Sequence, residues 1–396
     1  LKRACFVCLS LGLGLVLGLA GCGGNAAASS STGNNGSGGG SAPAPGTVGT
    51  VLVPDGAKGV AVIHLEDSNG NLLSAPAVAY FAASGGPVGV IAEPPDFSQG
   101  LVLTPQGLQT FNNALTSPAM AETLALQTPG TPLAAATIAD SSFAWSVYSQ
   151  AWASTCFTGG LHITSAGADV SYGPTGVVAY VSAPDGTTVL ARGPGANGRP
   201  AFVQAYTTTA TTSPHAYSYS FDGSSVNTSP SSVTGRGAMA YNPKTTTTVV
   251  IGSGDGTLTT IVNLGANQVV GAGSLPAAPA VTSIAYAPSG QYAVVATTAG
   301  LFTVTVDPAT GAATVLAGPA LPGYVGSDQQ NYVLDHAQSI GISADGKFLV
   351  ALTDQPSAAN GTLVVMPLDA SGNPGAAAET VSGLAAAANA DVLLVH

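Results

Sequence analysis

Residues 339–380 read SIGISADGKFLVALTDQPSAANGTLVVMPLDASGNPGAAAET. Three apolar runs, Ser339–Ser343, Phe348–Thr353 and Thr362–Leu368, are separated by an Asp345-Gly346 turn, a loop ending at Gly361 and a turn around Ser371-Gly372-Asn373. Runs this short, rich in Val, Ile and Thr and bounded by Gly, Pro and Asn, are strand signals, and no helical face of ten or more residues interrupts them.

The unit recurs upstream. SIAYAPSGQYAVVATTAGLFTVTVDPATGAATVL (283–316) has the same order of strands and turns, 56 residues earlier, and a third copy begins near Ala240. Short strands recurring in fours every 40–55 residues are the pattern of a propeller blade. The expected fold is therefore all-β, a single β-propeller of four-stranded antiparallel sheets. Candidate first turns near 95, 141, 175, 222, 243, 289 and 345 give seven blades, with six or eight as the neighbouring counts. The C-terminal stretch Asn389–His396 is a strand with no turn after it. It is placed to share a blade with the N-terminal strands near Val51, closing the ring and removing free edges.

Before residue 50 the chain reads as an address and a tether. Lys2 and Arg3 precede an apolar stretch, Ala4–Ala20, which ends in Leu19-Ala20-Gly21-Cys22. This resembles the bacterial lipoprotein signal. That likeness implies removal of residues 1–21, lipidation of Cys22 and attachment through two or more acyl chains. Gly23, rather than Asp, after the cysteine implies the outer membrane. Residues 22–49 are uncharged and rich in Gly, Ser and Ala, a composition that buries no core and behaves as a flexible tether. The propeller occupies 50–396.

Charge narrows the function. The chain has 8 Lys+Arg and 19 Asp+Glu. Losing Lys2 and Arg3 leaves six basic against nineteen acidic residues, a net charge of −13. Nucleic acid is excluded as a partner, because displacing counterions from phosphates needs clustered cations. Cys5 and Cys8 fall in the leader, so Cys156 is the one cysteine of the folded part and no disulfide staples it. His162 is the base nearest to Cys156 in sequence, and an idle or buried thiol is the expectation there.

Along the chain, Val51–Ala61 and Val62–Leu65 read as apolar runs, followed by a turn at Glu66–Asn71 and a strand at Leu72–Val78. Asp67, Asn69 and Asn71 alternate as in a calcium loop, but the closing Glu of a 12-residue EF-hand loop is missing. A hairpin turn is expected instead. Ser117–Leu126 has the one helical flavour in the chain. Trp145 and Trp152 are expected to fill space between blades or to line a sugar-binding face. Asp169–Ala191 reads as a further copy, with its first turn at Pro174-Thr-Gly176, and Ser224–Ser232 reads as a polar loop.

Ser343-Ala344-Asp345-Gly346-Lys347 and Asp307-Pro308-Ala309-Thr310-Gly311 resemble the blade signatures of the lactonase-like, YVTN-type seven-bladed propellers. The likeness covers residues 240–380. The Gly-His and Trp-Asp pairs of WD40 repeats are absent. The enzymatic branch of the lactonase-like family carries an Arg-His pair just before this strand. The matching positions here are Thr282-Ser283 and Gln338-Ser339, Arg236 is followed by Gly, and His336 lies two residues early. His64, His162, His215, His336 and His396 are isolated, so no metal is expected. There is no Gly-x-Ser-x-Gly elbow and no phosphate loop, so neither a catalytic residue nor a cofactor is assigned. Glu93, Asp140, Asp169 and Asp255 are the acids that could converge on a central channel. The expected function is a lipid-anchored, monomeric envelope protein that binds a protein or carbohydrate, or has an assembly role. The alternative is a lactonase-like hydrolase acting on a sugar lactone.

Overall fold

A computed structural model describes residues 49–67, 69–81, 238–245, 248–263, 268–385 and 393–395, together with strands between 89 and 228. Within those intermediate strands, side-chain surroundings are given for Val102 and Thr104 alone. The signal, Cys22 and the tether up to residue 48 lie outside the described residues, as do Glu93, Asp140, Asp169, Arg236, His215 and His396. No helix among the described residues is long and apolar enough to cross a membrane.

The described chain is all-β. It forms seven four-stranded antiparallel sheets and one two-stranded hairpin, Gly323–Val325 with Asn331–Val333. Six of the sheets are simple meanders of four consecutive strands. The first sheet is composite: Thr50–Pro54, Val60–His64 and Val78–Phe81 are joined by the C-terminal strand Leu393–Val395, which pairs with Thr50–Leu52. That pairing is the one expected from the two chain ends.

The opening strands of successive sheets touch in sequence order: Gly89–Ala92, Pro132–Thr137, Ala179–Ser182, Met239–Tyr241, Val281–Tyr286 and Ser339–Ile342. Leu393–Val395 contacts both the last and the first of these, so the contacts run in a circle.

In the first, fifth, sixth and seventh sheets the second and third strands are buried on both faces, which is why they read as unbroken apolar runs instead of alternating ones. Ala293–Thr297 and Phe348–Thr353 are examples. Their side chains pack between neighbouring sheets. Val51, Val53 and Ile63 meet Val350, Leu352 and Leu363 across the seam between the first and seventh sheets. Val250 and Leu258 of the fifth sheet meet Val281, Val295, Phe302 and Val304 of the sixth. Burying each such side chain favours the fold by about 1.5–3 kcal/mol. The outermost strands Val269–Ser274 and Ala313–Ala320 alternate instead.

Two threonines bolt adjacent sheets together. Thr260 Oγ1 donates to the Gly311 carbonyl, and Thr303 Oγ1 donates to the Gly372 carbonyl at 2.8 Å. Each threonine sits on the third strand of one sheet, and each glycine in the last turn of the next. At the first seam the sheets approach so closely that a Cβ on Gly271 would stand 2.1 Å from the Gly311 oxygen.

Several expectations need correction. Val51–Ala61 is not one run, because a 3-10 turn at Gly56–Lys58 divides it into two paired strands. Leu72 only bridges to Glu66, and the next strand starts at Val78. The passage with helical flavour contains the strand Ala119–Ala125, in register with Gly107–Asn112. Pairing into the fourth place of a sheet overrides its local propensity. Tyr217–Thr228 runs as a strand through Ser224, and a bulge opposite Gln204/Tyr206 absorbs Asp222-Gly223, so 222 is not a turn. The fourth sheet opens with Ala179–Ser182, paired with Thr188–Gly193, so the Pro174-Thr-Gly176 turn precedes its first strand, and residues 169–178 lie outside the described residues. Two of the seven counted turns were thus misplaced.

Candidate functional site

The site grows from the hairpin that opens the seventh sheet. Its strands, Ser339–Ile342 and Phe348–Thr353, pair symmetrically about the Asp345-Gly346 turn. Asp345 Oδ1 accepts from Ser343 Oγ at 2.7 Å and from the Lys347 amide at 3.0 Å, and Gly346 supplies the φ of +74° that the turn needs. At the other end the ladder extends one step further, with the Gln338 amide donating to the Leu352 carbonyl at 2.7 Å. Leu334 and Ala337 are each 1% exposed and pin the preceding loop to the core. Thr282 Oγ1 holds it from the sixth sheet through the Ala337 carbonyl at 2.6 Å. Asp335 and His336, lying between the two pins, are turned towards solvent.

That geometry brings His336 to Asp354, 3.6 Å from Nδ1 to Oδ1, an ion pair when the imidazole is protonated. The second carboxylate oxygen accepts from Gln338 Nε2 at 3.2 Å. A parallel string lies beside it: Tyr324 Oη donates to Gln355 Oε1 at 2.7 Å, and Gln355 Nε2 donates to Asp335 Oδ1 at 3.0 Å. Burial pushes the Tyr324 phenol up to about 12, opposed by a hydrogen bond with Thr353 and reinforced by Asp335, Tyr332 and Asp354. Tyr324 stacks on Tyr332 across the hairpin, with centroids 5.8 Å apart, and Asn360 Nδ2 ties the hairpin tip to Ser327 at 2.8 Å.

This end of the molecule therefore presents two carboxylates, an imidazole, two carboxamides and a phenol. The lysines whose side chains are described lie elsewhere. Lys58 bonds Asp55 and the Gly383 carbonyl, Lys347 pairs with Asp345, and Lys244 is exposed in a turn of the fifth sheet. No group of three His, Cys, Asp or Glu among the described residues is arranged to hold a metal ion.

Of the other candidates, Asp255 serves its own turn by accepting from the Thr257 amide at 3.0 Å. His64 pairs with Thr50 across the strands at 2.9 Å. Thr282 and Ser283, which stand at the family's Arg-His positions, bind the neighbouring strand, the latter accepting from the Ile340 amide at 3.2 Å. Cys156 and His162 are opposite each other in register on adjacent strands. Trp145 and Trp152 lie on the paired strands Phe143–Tyr148 and Ala151–Cys156. The turn at Asp67 is a hairpin turn as expected: Oδ1 accepts from the Asn69 and Asn71 amides at 2.8 and 2.9 Å, and Asp369 repeats the device with Ser371 and Asn373.

The fold is shared with solved structures. A "putative 6-phosphogluconolactonase" from Bacteroides uniformis superposes with a TM-score of 0.65 at 13% identity, covering 88% of this chain and 100% of its own. A second, from Bacteroides fragilis, gives 0.64 at 14% identity, with 88% and 98% covered. A functionally unknown protein from Desulfotomaculum acetoxidans gives 0.61 at 15% identity, with 88% and 99% covered. No protein-family model and no curated protein matches the sequence. The likeness is one of fold, and it agrees with the lactonase-like resemblance read from the blade turns.

The described chain begins at the end remote from this site. The Gly49 carbonyl accepts from the Leu65 amide at 2.8 Å, beside Glu66. Partial burial raises the Glu66 carboxyl, and Asp345 and Asp67 add to the rise against the pull of Lys347. Val395 pairs with Thr50 at this same end. The strand from Phe348 to Thr353 separates it from the His336 cluster by roughly 20 Å.

Proposed function

We propose that this protein is a lipid-anchored seven-bladed propeller that binds an uncharged carbohydrate of the cell envelope at the end remote from its tether. The seven four-stranded sheets, the circle of contacts among their opening strands and the strand shared between the chain ends support the propeller and its blade count. The Leu19-Ala20-Gly21-Cys22 sequence supports the anchor at Cys22 and Gly23 supports the outer membrane, with the domain acting as a monomer. A 28-residue tether has a mean span of roughly 30 Å and holds the domain clear of the lipid.

The observation that carries the reading is the cluster of Asp335, His336, Gln338, Asp354, Gln355 and Tyr324, with no lysine among its partners in the described residues. Planar donors and acceptors match the hydroxyls of a sugar, and the half-buried Tyr332 ring beside them suits a C–H face. Two carboxylates repel a phosphorylated one. The test is calorimetric titration of the full-length protein with neutral oligosaccharides. Asp354→Ala, which removes an acceptor and releases Gln338 and His336, should weaken binding at least tenfold. Unchanged affinity in that variant would refute the site.

The His336–Asp354 pair favours a second reading, hydrolysis of a neutral sugar lactone. Asp354 orients the imidazole through Nδ1, and the free Nε2 takes a proton from water as its oxygen attacks the lactone carbonyl. The C–O bond to the ring oxygen then breaks, and that oxygen takes the proton back from Nε2 to leave as the hydroxyl of the product acid. Acid release from neutral lactones, lost in Asp354→Asn, would support it; release from a phosphorylated lactone alone would count against it.

A further inference from the structure

The hairpin Gly323–Val333, inserted between the sixth and seventh sheets, has two unlike faces. Tyr324 and Tyr332 are paired in register and stack on one face, tied to the body through Gln355. The alternate positions form the other face, where Val325 and Val333 are 44% and 48% exposed and Leu321 at the hairpin's base is 47% exposed. Gly323 is the direct partner of Val333, and a Cβ placed there would meet nothing nearer than the Tyr332 carbonyl at 3.8 Å. The missing side chain leaves a shallow seat with a glycine floor and valine walls, with exposed Asn331 beside Val325 at its edge. Leu334 is buried between exposed Val333 and half-buried Asp335, and the Asp335 amide donates to the Val333 carbonyl at 2.9 Å. Val333 and Asp335 therefore lie on the solvent side of a single turn, which sets the seat next to the Asp335 carboxylate and across the hairpin from Tyr324.

A ligand spanning both surfaces needs hydroxyls for the cluster and a small apolar group for the seat, without a negative charge to meet Asp335 and Asp354. We infer that the ligand is an N-acylated sugar chain, its hydroxyls on Asp335, His336 and Asp354 and its acyl methyl on Val325 and Val333 over Gly323. This rests on the carbohydrate reading of the same cluster. The seat is too small to hold a protein partner by itself, since stable interfaces cover about 800 Å² on each partner. An acetyl methyl is matched in size to its two valines.

The test compares tri-N-acetylchitotriose with cellotriose, two trisaccharides of one linkage, titrated into the full-length protein in lipid nanodiscs. The acetylated sugar should bind about fourfold tighter, the gain from burying one methyl. The double substitution Val325→Ser with Val333→Ser should erase that preference and leave cellotriose affinity unchanged, which also reports that the variant is folded. Equal affinity for both sugars, or a preference that survives the double substitution, overturns the N-acyl inference and leaves the carbohydrate site standing. Failure to bind either sugar overturns the inference together with the reading beneath it.

Discussion

Replacing Asp55 with alanine should unfasten the seam where the two ends of the chain meet. Asp55 follows the strand Thr50–Pro54, is 1% exposed, and gathers three donors from two sheets. Its Oδ1 accepts from the Ala385 amide, at the end of the last strand of the seventh sheet. Its Oδ2 accepts from Tyr80 Oη at 2.8 Å and Lys58 Nζ at 3.3 Å. The three donors contribute unequally. Lys58 is 53% exposed in its side chain and also holds the Gly383 carbonyl, so its ion pair with Asp55 is worth less than about 1 kcal/mol. Tyr80 is half-exposed and can turn to water. The Ala385 amide is held in place by the chain, and losing a charged acceptor there costs about 1.5–3 kcal/mol. Asp55→Ala should therefore destabilise the protein by about 2–4 kcal/mol. Asp55→Asn keeps one acceptor for the amide and should lose about half of that. Lys58→Met should cost under about 1 kcal/mol. Urea unfolding of the full-length protein, followed by tryptophan fluorescence, gives all three values. If Asp55→Ala falls within about 0.5 kcal/mol of the parent, or Lys58→Met costs as much as Asp55→Ala, the clasp is not the closure device argued here.

Acid should act on the turns between third and fourth strands. Backbone amides hold the carboxyls of Asp67, Asp307 and Asp369 below their ordinary range. A folded carboxyl that titrates below its unfolded counterpart adds stability in full above about pH 4, and that contribution disappears as pH falls through the folded value. Thermal melting from pH 7 to 3 should show a steep acid limb, and changing all three residues to Asn should lower the melting temperature at pH 7 and flatten that limb; an unchanged limb would count against the assignment. Thr303→Val should cost about 1–2 kcal/mol in the same urea assay, because it keeps the shape and strands the Gly372 carbonyl in a dry seam.

What the sequence disclosed was local. Asp345-Gly346 and Asp307–Gly311 announce their turns because the carboxylate serves amides two or three residues on, so the chemistry is complete within one short stretch. The matched turns at Asp67 and Asp369 were visible for the same reason. The threonine bolts were not, because Thr260 reaches 51 residues ahead and Thr303 reaches 69. Nothing near either threonine marks it out from the many that merely fill strands. Ser224–Thr228 and Ala119–Ala125 were misread because their partners, not their compositions, make them strands.

The His336 cluster stands between these cases, and its signal was present but unread. His336 looked isolated because Asp354 is 18 residues away and no metal or triad spacing joins them. Once the Asp345-Gly346 turn is recognised, however, counting outward from it sets Ser339 opposite Leu352, and continuing past the strand ends sets Ala337 opposite Asp354. The loop at 335–338 must then meet the loop at 354–355 whatever the side chains are. In a fold of hairpins, a turn assigned with confidence fixes which residues meet at the far end of the sheet. Functional pairs in such proteins should therefore be sought at positions symmetric about each turn, not at the short spacings that identify sites on helices.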